Sequence, residues 1–147
     1  MSWTGARTAI DAALVLAAAD VSPAIPTVID YEPDSLTQDT IAHWPEGTRD
    51  AGNSLNLVFI ARGMRVTGYL RATARTGSQN AELEARLVAL EEAMFTRLWA
   101  DAGAGGNALR LNIDESDYGW QDIAGQLART VSFIAWYDLP SVAPIVL

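Results

Sequence analysis

The chain has 147 residues, half of them hydrophobic and 19% charged, with a net charge of −8 and no cysteine. That size and mix fit a single domain over residues 1–147, able to bury about two-thirds of its unfolded surface, and they exclude disulfides, thiolate metal sites and cysteine nucleophiles. All ten basic residues are arginine, so lysine chemistry is excluded as well, and the acidic balance argues against a protein that grips nucleic acid by bulk charge.

In chain order, Ser2 or Thr4 can cap a helix over residues 6–19. Ile10, Ala13, Leu14 and Ala17 fall on one stripe, and Pro23 and Pro26 lie beyond its end. The apolar run 12–19 is too short to span a bilayer and no basic leader precedes it, so the expectation is a soluble protein made in the cytosol. Residues 27–31 predict a short strand ended by Pro33. The polar stretch 32–53 carries Pro45, Gly47 and Gly52, with Ile41 and Trp44 as apolar landmarks. It predicts a long loop, either a plain surface loop or a contact loop.

Residues 55–61 are a near-continuous apolar run and predict a central strand. Arg62 and Gly63 have hairpin length and predict a turn into a second strand over 64–75. That strand alternates. Met64, Val66, Leu70, Ala72 and Ala74 point one way; Arg65, Thr67, Tyr69, Arg71, Thr73 and Arg75 point the other. Gly68 inside it predicts a bulge or a close backbone approach. After a turn at 76–80, with Ser78 or Asn80 as cap, the period changes. Leu83, Leu87, Leu90, Met94 and Leu98 recur at three and four, widened by Val88, Phe95 and Trp99, and predict a helix of about five to six turns. Glu82 and Arg86 are spaced as an exposed ion pair. Residues 108–113 predict a further strand, 114–120 a polar turn, and 127–137 a last alternating strand that pairs back on 108–113. Pro140 ends it, leaving an apolar tail over 140–147. The whole predicts an α+β fold, a mostly antiparallel sheet with two helices packed on one face.

Tests for chemistry return little. His43 is the single histidine, set in a polar stretch with no G-x-S-x-G elbow in the chain. The stretch 114–119 starts like a calcium loop, with Gly119 at the sixth position. Its fifth position is Tyr118 and its twelfth is Gly125 where a bidentate glutamate is required, so the match fails. Asp30, Glu32 and Asp34 read as a solvated acidic edge. Gly103, Gly105 and Gly106 follow a helix and so cap it; they do not cradle a phosphate. No catalytic, cofactor-binding or metal-binding residue is assigned, and the expectation is a protein without enzymatic activity. What remains is surface. Arg65, Tyr69, Arg71 and Arg75 share one strand face, which reads either as ordinary solvated sheet or as a contact between subunits. Trp44 in the long stretch and Asp114 and Asp117 in the polar turn complete the interface candidates.

The strand–turn–helix made by Val66, Thr67, Gly68 and Tyr69 and then 81–87, and the closing Asp117, Tyr118, Gly119 and Trp120 followed by 127–138, resemble the tail terminator (tail-completion) proteins of long-tailed bacteriophages. Length and the helix-first order are similar too. The resemblance implies a ring, commonly a hexamer, that caps the tail tube, stops its polymerisation and offers a surface to the head-closure or connector protein. It implies no cofactor, no membrane, assembly in the host cytoplasm and a final place in the virion neck, with DNA passing through the lumen unbound. Acidic walls suit that passage, because they repel phosphate. Ring closure needs two different patches per subunit, and the arginine-bearing face and the acidic turn 114–117 are candidates for opposite halves. Another neck protein and a small ligand-binding α+β domain are the alternatives.

Overall fold

The computed structural model describes residues 1–54, 57–72 and 77–144. The elements run α1 (Trp3–Asp20), β1 (Thr27–Ile29), β2 (Thr40–Ser54), β3 (Leu57–Arg71), α2 (Gly77–Ala100), β4 (Arg110–Ile113), β5 (Asp117–Ile123) and β6 (Gln126–Pro144). All strands join one sheet in the order β1-β2-β3-β6-β4, with β5 following β4 along the same edge of β6. Among the described residues only β1 and β2 pair in parallel. This is the expected α+β class, with both helices against one face of the sheet.

The helices form where the apolar period puts them. Ser2 caps α1, its hydroxyl accepting the Gly5 N–H at 2.9 Å. The stripe Ala6, Ile10, Ala13, Leu14 and Ala17 is buried. On α2, Leu87, Leu90, Met94 and Leu98 are buried, and Phe95 meets Phe133 edge-on with ring centroids 4.8 Å apart. Val66 and Leu70 of β3 and Val131, Phe133, Ala135 and Tyr137 of β6 supply the sheet side of this core. The α2 stripe is narrower than expected, because Val88 and Trp99 are about half exposed. Arg86 pairs with Asp39 instead of Glu82, and the helix starts at Gly77, ahead of the expected caps. No helix among the described residues is long and apolar enough to cross a membrane.

The strands depart further from expectation. Most of the stretch read as a long loop is β2, which pairs with β3 over nearly its whole length. Its polarity misled because the strand is bordered by β1 only at residues 40–42, so the rest of it is a sheet edge that polar residues can occupy. Its loop-like residues sit where the ladder is broken. Register shifts separate Pro45 from Gly47 and Asp50 from Gly52, and both glycines have positive φ. Arg62 and Gly63 are not a turn, since β3 runs through them without a shift against β6. Gly63 is there for space: a Cβ would sit 2.9 Å from the ring of Trp136 across the ladder. Gly68 is likewise a close approach, to the Leu90 side chain and not to a backbone.

The polar turn at 114–120 is also mostly strand. Asp117 opens β5, and the tight turn falls at Ala124 and Gly125, both with positive φ, as two-residue hairpins require. Pro140 does not end the last strand, because β6 continues to Pro144, with Phe59 opposite Pro140. Thr73, Arg75 and the apolar end at 145–147 lie outside the described residues.

The second sheet face carries a small core of its own. Leu36, from the irregular segment between β1 and β2, packs with Ala42, Tyr69, Ile123 and Ala128, joined by Ile29 and Trp44.

Candidate functional site

The arginine-bearing face of β3 is not a free solvated surface. Tyr69 is 2% exposed, and burial pushes its hydroxyl above the usual tyrosine range. Arg71 is tied inside the subunit. Its guanidinium donates to the Thr37 carbonyl at 2.8 Å and to Gln126 Oε1 at 3.1 and 3.3 Å, and its backbone N–H donates to Asp39 Oδ1 at 2.8 Å. Arg65 donates to Ser132 Oγ and to Glu46 Oε1, both at 3.1 Å. Trp44 is half-buried against the second core.

Nor do the acidic candidates sit opposite this face. Asp114 accepts the Trp136 indole N–H at 2.8 Å, and Trp136 stands on the same side of the sheet as Ile134, the partner of Arg65 across the ladder. Arg49 lies over the Trp136 ring at 4.1 Å and 3.9 Å from Asp114. Asp117 is exposed at the start of β5. The structure therefore gathers Arg49, Arg65, Trp44, Trp136 and Asp114 on one side of the distal sheet. Arginine and tryptophan are residue types enriched where protein surfaces meet, and here the Arg49 guanidinium stacks on the Trp136 ring.

A second patch lies at the β5 edge, which sequence reasoning missed because it was read as a turn. Tyr118 and Trp120 are both about half exposed. The Arg129 guanidinium sits 6.0 and 5.2 Å from their rings and is held by Glu84 and by the Gly119 carbonyl at 2.8 Å. Partial burial of the Tyr118 hydroxyl, and its hydrogen bond to Glu91, push it up to about 12.

His43 is the other surprise. It stands on β2 on the same side as Ile41, facing α1, and is 1% exposed. Its Nε2 is 2.7 Å from Asp11 Oδ1 on α1, and its Nδ1 is buried without a partner. Because β1 stops at Ile29, an open cleft of about 290 Å³ lies beside it, lined by Thr4, Arg7, Thr8, Asp11, Asp30 and His43. One nitrogen is taken by Asp11 and the other has no partner among the described residues. Among the described residues no three His, Asp or Glu side chains are grouped to hold a metal ion. The alternation of Ile41 and His43 was a signal for their shared face; nothing local marks a partner 32 residues earlier.

No protein-family model matches the chain, and no curated protein matches it.

Proposed function

We propose that this chain is a non-enzymatic tail terminator of a long-tailed bacteriophage, a ring-forming subunit that caps the tail tube, ends its polymerisation and offers a surface to the head connector. The observation that carries the reading is the length of the sheet against its cover. β2 and β3 have 15 residues each and β6 has 19, which is about 50 and 63 Å of extended chain. α1 has 18 residues and α2 has 24, about 27 and 36 Å of helix. Residues 45–50 are exposed throughout. A sheet extension this thin has little burial of its own, and neighbouring subunits are the natural source of the rest.

Two further features support a ring. A head-to-tail interface needs two unlike patches, and the Arg49–Trp136 face and the Tyr118–Trp120 edge are unlike. Arg49, Arg65, Arg86, Arg97, Arg110 and Arg129 are ion-paired within the subunit, so the net charge of −8 is left as surplus carboxylate suited to a DNA passage.

Electron microscopy of tail tubes assembled with and without the protein tests this. The expected result is a ring of density at one tube end and tubes that overgrow when the protein is withheld. Tubes of unchanged length with bare ends would overturn it. The cleft beside His43 favours the second reading, a ligand-binding domain, and a cognate small molecule with no effect on tubes would decide for it.

A further inference from the structure

The cleft between α1 and the open edge of β2 holds charges that the fold does not satisfy. Arg7 is half-buried, its Nε is buried without a partner, and its guanidinium makes no hydrogen bond or ion pair with any described residue. An arginine drawn partly out of water without a carboxylate costs stability unless something else pairs with it. Asp30, also on the lining, is exposed and has no ion pair or hydrogen bond with any described residue, and the two lie beyond ion-pair distance of each other. The lining is completed by His43, itself 1% exposed with one ring nitrogen unpartnered, and by Asp11, which holds its other nitrogen. Thr8 donates its hydroxyl proton to the Thr4 carbonyl at 3.1 Å, which leaves the Thr8 oxygen as an acceptor at the wall.

The charge pattern selects the ligand. A simple anion would meet Arg7 but also Asp11 and Asp30. A simple cation would meet the carboxylates but also Arg7. A divalent metal finds no set of three ligands among the described residues. A small molecule with both signs satisfies both orphans, and a cleft of about 290 Å³ has room for one of amino-acid size. We propose that this cleft binds a small zwitterion, an α-amino acid or a molecule of the same charge pattern, with its carboxylate on Arg7 and its ammonium on Asp30. The inference does not rest on the ring reading.

Titration of the full chain, followed by amide NMR, tests it. L-alanine, L-serine and L-glutamine are the zwitterionic probes; acetate and methylammonium carry one charge each. At least one zwitterion is expected to give saturable shifts centred on Arg7, Asp11, Asp30 and His43, with the single-charge probes weaker by about tenfold or more. Arg7→Gln and Asp30→Asn should each weaken that binding by a similar factor while leaving the circular dichroism spectrum unchanged. Asp30 is exposed, so its variant keeps the test sound should Arg7→Gln fold poorly. Absence of saturable shifts with every zwitterion, equal binding of acetate, or wild-type affinity in Asp30→Asn would each overturn the proposal. A protein that caps tubes yet ignores all three amino acids would overturn this inference alone.

Discussion

The two faces of β3 are equally closed to water around its middle and are closed by different means. On the helix side Val66 and Leu70 are fully buried under apolar side chains from α1 and α2. On the other side Thr67 and Tyr69 are 4% and 2% exposed, under no helix. There the seal is made by Leu36 and by polar side chains that satisfy one another: Thr67 with Ser132 at 2.9 Å, Arg65 with the same serine, and Arg71 with Thr37 and Gln126. The difference teaches that a polar face in an alternating strand is not a solvated face. Burial on one side is set by apolar area, and on the other by whether every donor finds an acceptor.

That contrast can be broken from either side. Leu90→Ala should show the largest effect. It removes a fully buried side chain that packs against Gly68, at a cost of about 3–5 kcal/mol in urea unfolding. Arg71→Glu should follow at about 1–2 kcal/mol, since it removes the part-buried bonds to Gln126 and sets a carboxylate beside Asp39. An unchanged midpoint in that variant would mean the polar face contributes nothing to closure.

Tyr137→Phe should show the smallest effect at neutral pH and a reversed sign. The Tyr137 hydroxyl is buried without a partner, so its removal should leave stability unchanged or raise it by up to about 1 kcal/mol. Burial, with Asp101 nearby, holds the pKa of this phenol above the usual tyrosine range and so resists its ionisation. The unfolded chain therefore loses the proton first, and wild-type stability should fall as pH rises above about 10. The variant should lose less over the same range in alkaline unfolding; parallel curves would remove Tyr137 from the explanation.

Legibility in the sequence followed the same division. α2 and the helix-facing residues of β6 could be read because their periods run uninterrupted. β2 could not: its buried residues 40–43 are followed, after the half-buried Trp44, by six exposed ones, and its two register shifts erase the alternation. Arg62 and Gly63 carried a turn signal although the glycine answers to the bulk of Trp136. For the site, the residue types Arg65, Tyr69, Arg71 and Trp44 were visible, but their bonds inside the subunit were not, because Gln126, Ser132 and Thr37 are distant in sequence. His43 was read as a loop residue since its bond to Asp11 links two elements with no shared local pattern.

β6 borders β3 along one side and both β4 and β5 along the other, yet of the described elements it leaves the ribosome after all the others. Until residues 126–144 have emerged, β3 has one unzipped margin, and β4 and β5 have nowhere to attach. A nascent chain at that stage presents a long sticky edge to any other nascent copy nearby. Pairing of β6 then closes β3, β4 and β5 in a single step.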